Sequence, residues 1–238
     1  MMGATKVKIF KYLAFLALSA SGVNAQDFDK GFAAYFANDY QTALKELMPF
    51  AESGDVRAQT IIGSMYRDGE GVSQSDADSI KWFRLAADQG FSLAQCDLGL
   101  MYYNGKGVVQ SYNEALKLYR LSADQGFAHC QVQLGTMYGQ GIGVDEDFPE
   151  AVKWYRLAAN QGDVLGQYGT GVMFEFGMGV IQDSVRAHMW YNIAAANGDK
   201  NSATNRERVA LNMTKEAIEK AQAMAQECIS SGYKNCGD

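Results

Sequence analysis

The sequence predicts an all-α solenoid of stacked helix-turn-helix units, and three observations predict it. The first is a period: Gly63, Gly99, Gly135 and Gly171 lie 36 residues apart, as do Met65, Met101, Met137 and Met173. The aromatic after each methionine keeps step as Tyr66, Tyr102, Tyr138 and Phe174. A fixed period of this size marks stacked units, each burying its apolar face only against its neighbours. The second is the spacing inside a unit, where apolar side chains recur every three or four residues, as on one face of a helix. The third is punctuation. The pairs Gly69/Gly71, Gly105/Gly107, Gly141/Gly143 and Gly177/Gly179 recur in step, as do Gly90, Gly126, Gly162 and Gly198. Glycine adopts the left-handed conformation that ends a helix at little cost.

Residues 1–25 read as a secretory leader removed from the mature chain. Lys6, Lys8 and Lys11 form a positive start, Tyr12 to Ala20 a short apolar run, and Val23-Asn24-Ala25 a cleavage site before Gln26. The apolar run falls short of the roughly 20 residues that cross a bilayer. The expectation is export to the periplasm or beyond the cell, with no stable membrane insertion after cleavage. The first cysteine is Cys96, so no cysteine follows the leader to carry a lipid anchor. Cleavage removes three lysines, leaving 18 bases against 27 acids and a net charge of −9. Such a surface repels phosphate backbones, so nucleic acid is not the expected partner.

Residues 26–57 are expected to form N-terminal capping helices, split at Asn38-Asp39. Residues 58–201 hold four units: 58–93, 94–129, 130–165 and 166–201. In the second, Ala94, Leu98, Met101 and Tyr102 make one apolar stripe on a first helix over about 94–104. Gly105-Lys106-Gly107 ends it. Ser111 to Glu114 then reads as a capping box, serine accepting an orphan amide and glutamate reaching back. Ser75…Asp78 and Asp147…Glu150 repeat the device, whereas Arg186 departs from it in the fourth unit. Pro149 falls in a first turn, where its missing N–H is no loss. The second helix, over about 112–125, carries Ala115, Leu118, Tyr119, Ser122 and Ala123. Small residues at Ala115, Ala151 and Ala187 allow close helix approach. Residues 202–238 should cap the stack, with one helix near 202–211 and another from an N-cap at Thr214 to Ile229. Lys215, Glu216, Glu219 and Lys220 give the last helix a polar outer side.

Ala94-Gln95, Leu98-Gly99, Met101-Tyr102, Gly105, Gly107-Val108, Ala115, Tyr119, Ala123 and Gln125-Gly126 together resemble the Sel-1-like repeat family. That family is a relative of the tetratricopeptide repeat with a longer loop between its helices. The similarity covers residues 58–201. It implies a right-handed α-solenoid of the exported bacterial type, acting as an adaptor or scaffold for a protein or peptide partner. The residues that carry it are structural, so it implies no catalytic residue and no cofactor.

Chemistry-bearing residues are few. His129 reads as part of an inter-unit loop and His188 as part of a second helix, neither with a partner at metal-ligand spacing. The Gly-x-Gly pairs lack the third glycine and strand-turn-helix setting of a nucleotide loop. Asp145-Glu146-Asp147 lacks the rest of a calcium loop and reads as a solvated turn. No catalytic, cofactor-binding or metal residue is assigned. Cys228 and Cys236 sit at the end of a chain bound for an oxidising compartment and are expected to pair, free thiols being the alternative. Cys130 replaces a small consensus residue and should be buried. Cys96 should face the first-helix groove, and the redox state of both is left open.

In tetratricopeptide-like units the first helices line the concave side, and positions three, seven and ten share one helical face. The expected partner-binding set is therefore Arg67, Cys96, Leu100, Tyr103, Val132, Thr136, Tyr168, Val172 and Glu175. These positions vary between units where the core positions do not. Truncating Arg67, Tyr103 and Tyr168 together should weaken partner binding and leave stability nearly intact. The leading reading is an exported, non-catalytic scaffold that binds a protein or peptide on this face. One alternative is a cell-wall or β-lactam-acting hydrolase of the family's cysteine-rich branch, whose cysteine pair in every repeat this chain lacks. Another is a structural subunit of an envelope assembly.

Overall fold

The computed structural model describes residues 25–234 and 236. The leader assigned to residues 1–25 lies outside them except for Ala25. The described residues form twelve helices and no strand. These are α1 (Ala25–Phe36), α2 (Tyr40–Glu52), α3 (Val56–Asp68), α4 (Asp76–Asp88), α5 (Ser92–Asn104) and α6 (Tyr112–Asp124). They continue with α7 (Ala128–Gln140), α8 (Phe148–Ala159), α9 (Val164–Phe176), α10 (Ser184–Ala196), α11 (Lys200–Ala210) and α12 (Lys215–Ser230). The described residues divide into two compact units at position 110, the first with α1–α5 and the second with α6–α12. Within each, successive helices pack on one another as far as α11, and α12 packs back on α10.

Local chemistry sets the helix ends. The Ser111 hydroxyl accepts from the Glu114 amide, and Ser75 and Asp147 cap α4 and α8 in the same way. Arg186 removes the box from α10 but not the cap, because the Asp183 carboxylate accepts from the amides of Val185 and Arg186. The first helices begin earlier than the apolar stripe suggests, α5 at Ser92 rather than 94. Asp55 and Asp163 cap α3 and α9 by hydrogen bonds. Phe91 and Phe127 hold the equivalent place on α5 and α7 without one, Phe127 being buried. Apolar burial thus replaces the cap there. His129 consequently lies in the first turn of α7 and not in a loop.

The recurrent helical glycines mark where a ring from the following helix comes close. A Cβ at Gly63 would lie 2.8 Å from the Phe83 ring, and one at Gly135 or Gly171 would meet Tyr155 or Tyr191 at the same distance. The first unit is cored by side chains such as Leu47, Ile62 and Met65, all fully buried. Burying each contributes about 2 kcal/mol relative to exposure. Trp190, Tyr191 and Ile193 do the same in the second unit.

A ladder of carboxamides ties successive helix pairs. The Gln59 Nε2 donates to the Ala51 carbonyl, and its Oε1 accepts from Gln89 Nε2 at 3.0 Å. In the second unit Gln131 donates to Ala123 and accepts from Gln161, and Gln167 accepts from Asn197. The Ala-Gln and Gln-Gly pairs at Gln59/Gln89 and Gln131/Gln161 are therefore two ends of one hydrogen bond, satisfying the buried amides of Gln59 and Gln131.

At the C-terminus a disulfide joins Cys228 to Cys236, with Cα atoms 4.5 Å apart. The turn it closes lays the Tyr233 ring against Gly162 and brings the phenol to the Asn197 carboxamide. Cys130 is fully buried, and no described cysteine is a free thiol.

Candidate functional site

The nine residues expected on the binding face do not share one fate. Cys96 is 3% exposed and disulfide-bonded, so it offers a partner nothing. Position three lies at the seam between helices, as buried Thr60 and Val132 also show. Leu100 and Tyr103 are half-buried on α5. Arg67 reaches Asp97 of the next first helix at 3.0 Å and Asp68 at 2.9 Å, with its guanidinium over the Phe83 ring. Burial works against its charge, but the two aspartates outweigh this and hold its pKa above the ordinary value. Glu175 is likewise engaged, accepting from Tyr191 Oη at 2.7 Å and pairing with Arg208 of α11. Arg67 thus joins two repeats, Glu175 joins the fourth repeat to the C-terminal cap, and both side chains are engaged within the fold.

The remaining four converge. Val132 and Thr136 of α7 and Tyr168 and Val172 of α9 line one open cavity of about 430 Å³, with Tyr155 of α8 among its walls. Gln133, Gln140, Leu165, Met173 and Met178 complete most of the lining.

The repeat register explains why the cavity is here. Arg67 and Asp97 form an ion pair between first helices in the first unit. Two periods later, the same positions are Gly139 and Gly169. Neither carries a side chain, so the space bridged at Arg67–Asp97 is left empty between α7 and α9. Gly169 also admits the Tyr155 ring, since a Cβ there would come to 2.7 Å from Cδ1. Tyr155 is thus held between Gly135 and Gly169.

Its electrostatics are simple. No Asp, Glu, Lys, Arg or His lines the cavity. The Thr136 hydroxyl lies 3.0 Å from the Val132 carbonyl and 3.1 Å from the Tyr155 hydroxyl, and either hydroxyl can donate to the other. In either arrangement the Tyr155 hydroxyl keeps one hydrogen-bonding function for a ligand. Burial pushes the Tyr155 pKa up, against the Thr136 hydrogen bond, so the group stays neutral. A neutral cavity lined by apolar side chains together with hydroxyls and carboxamides suits binding, and it holds no charged acid or base poised for reaction. Among the described residues no cluster of His, Cys, Asp or Glu could hold a metal ion, and no helix is long and apolar enough to cross a membrane.

The comparisons with known proteins follow the same 36-residue register. The Sel1 repeat model matches residues 56–91, 92–127, 128–163 and 164–199. The chain belongs to the Sel1 repeat family. Each match starts two residues before the unit boundaries drawn from the sequence, where the first helices begin. A Sel1 repeat protein from Oxalobacter formigenes is 32% identical, with a TM-score of 0.75 over 88% of this chain and 84% of that one. The Escherichia coli protein c5321, a protective antigen of uropathogenic strains with an SLR fold, is also 32% identical, with a TM-score of 0.73. That match covers 87% of this chain but 46% of the antigen. A Sel1 repeat protein from Klebsiella pneumoniae, 18% identical with a TM-score of 0.52 over 77% of this chain and 91% of that one, shares the fold alone. No curated protein sequence matches significantly. The chain is an all-α Sel1-repeat solenoid.

Sequence reasoning missed Tyr155, Met173, Met178 and the meaning of Gly139. The usable signal was a double absence, glycine at position ten of one unit and position four of the next. Gly139 read alone is only one more variable position.

Proposed function

We propose that this Sel1 repeat protein is an exported, non-catalytic scaffold that binds a segment of a partner protein at the α7–α9 face. The observation that carries the reading is the cavity, built from four residues of the face that varies between repeats and open where neighbouring positions are bridged. Sel1 repeats commonly mediate protein interactions, which supports a protein partner over a metabolite. Export rests on residues 1–25, whose charge, apolar run and cleavage site fit a leader. The net negative charge favours partners that are not polyanions.

The test is affinity capture from envelope extract with wild type and Leu165→Ser/Tyr168→Ala, followed by rebinding of the purified partner. The scaffold reading expects one recurrent partner whose rebinding the double variant weakens at least tenfold. No saturable protein partner would overturn it. N-terminal sequencing of exported protein should begin at Gln26, and a mature chain beginning at Met1 would refute export by this leader.

A further inference from the structure

We propose that the α7–α9 cavity is an anchor pocket for one uncharged aromatic side chain of an extended peptide segment. The inference deepens the scaffold reading and rests on it. Size sets the scale: about 430 Å³ lies at the low end of the range that holds small ligands. It has room for one large side chain with its adjoining backbone, but not for a folded element.

Charge then narrows the class. No ionisable acid or base other than the two tyrosines lines the cavity, so a charged group entering it would lose hydration without a counter-charge. The lining narrows it again. Tyr155 and Tyr168 offer ring faces or edges, and aromatic pairs gain from offset or edge-to-face packing beyond area burial. Met173 and Met178 add two adaptable thioethers, which make favourable contacts with aromatic rings. The Tyr155 hydroxyl, with one of its functions engaged by Thr136, can hydrogen-bond with the other to a peptide group or an aromatic hydroxyl. Gln133 and Gln140 supply carboxamides able to meet a peptide bond in either sense. The first unit has no counterpart, because Arg67–Asp97 occupies the corresponding space there.

The glycine that opens the pocket also supplies a clean variant. A Cβ on Gly139 meets only Met173 Cε at 3.5 Å and Ala151 Cβ at 3.6 Å, ordinary contacts on normal helical backbone. Gly139→Leu should therefore fold at least as well as wild type while filling part of the cavity. The probes are N-acetyl-phenylalaninamide, N-acetyl-leucinamide and N-acetyl-lysinamide, titrated into full-length protein carrying ¹³C-methyl methionine. Met173→Leu and Met178→Leu assign the two reporter signals. The phenylalanine probe should shift both methyls saturably, the leucine probe should bind at least fivefold more weakly, and the lysine probe should move neither. Gly139→Leu should abolish the response without lowering Tm. Unmoved methyls, or equal binding of the lysine or leucine probe, would overturn the pocket's assignment. Capture of a partner by wild type under those conditions would leave the scaffold reading standing, so the two failures are distinguishable.

Discussion

Gly139 and Arg67 occupy the same place in their repeats and do opposite work. Arg67 is 19% exposed in its side chain and paired with Asp97, itself 17% exposed. Arg67→Ala should cost about 2 kcal/mol, between the near-zero value of surface pairs and the larger loss when a buried pair is broken. Denaturant unfolding checks this, and a loss below about 0.5 kcal/mol would mean that the pair is not structural. The sequence-based expectation that this side chain could be removed without loss of stability is thereby revised. Gly139→Ala should stabilise by about 0.5–1 kcal/mol, because the helix gains a residue with less entropy to lose and the added methyl has room. An unchanged or lower midpoint would show that the backbone there is not free to accept it. His188 gives a pH prediction. It is buried, Nδ1 has no hydrogen-bond partner, and burial together with Arg206 lowers its pKa below the ordinary 6.5. Below about pH 6.5 the unfolded chain binds a proton that the folded one resists, so stability falls with pH until the folded pKa is reached. Thermal melts between pH 7.5 and 5 should show this decline in wild type and a flatter one in His188→Gln. Parallel curves would remove His188 as the cause.

The α-helices were legible because each carries its own signals: the stripe of Leu98, Met101 and Tyr102, the serine and aspartate caps, and the glycines past each end. Their starts were read late because Phe91 and Phe127 stand at N-caps, where an aromatic is not a start signal and packing takes over. The site was half legible. Helical spacing put Val132, Thr136, Tyr168 and Val172 on one face, but which side chains remain free depends on partners 30 or more residues away. Asp97 for Arg67 and Arg208 for Glu175 follow from stacking, not from local pattern. Tyr155 sits on a second helix and enters the cavity only because Gly169 lets it. At the last helix, the Cys228–Cys236 disulfide holds Tyr233 on Asn197, at the end of the carboxamide ladder. In the chain-entropy model a loop of this length contributes about 2.5 kcal/mol. Reduction, or Cys228→Ala with Cys236→Ala, should lower Tm and expose the segment after Ser230 to proteolysis while α7–α9 keep their protection from hydrogen exchange. Uptake of an alkylating label by both cysteines in natively exported, unreduced protein would show that the staple is absent.

On the scale of the whole molecule, the repeats act as a frame in which a local change of two residues creates a site. The four Sel1 units share one register, and the fold reuses in them the same glycines, small residues, buried apolar side chains and Gln ladder. Positions outside that set can vary at little cost to the stack. At Gly139 and Gly169 the variation removes a bridge and opens a neutral cavity, the feature that would make the proposed scaffold selective. The most direct measurement is calorimetric titration of the purified captured partner into wild type and Gly139→Leu, with Tm recorded for both. The account predicts at least tenfold weaker binding by Gly139→Leu at an equal or higher Tm. Equal affinity for the two proteins would contradict it, placing the binding surface elsewhere on the repeats.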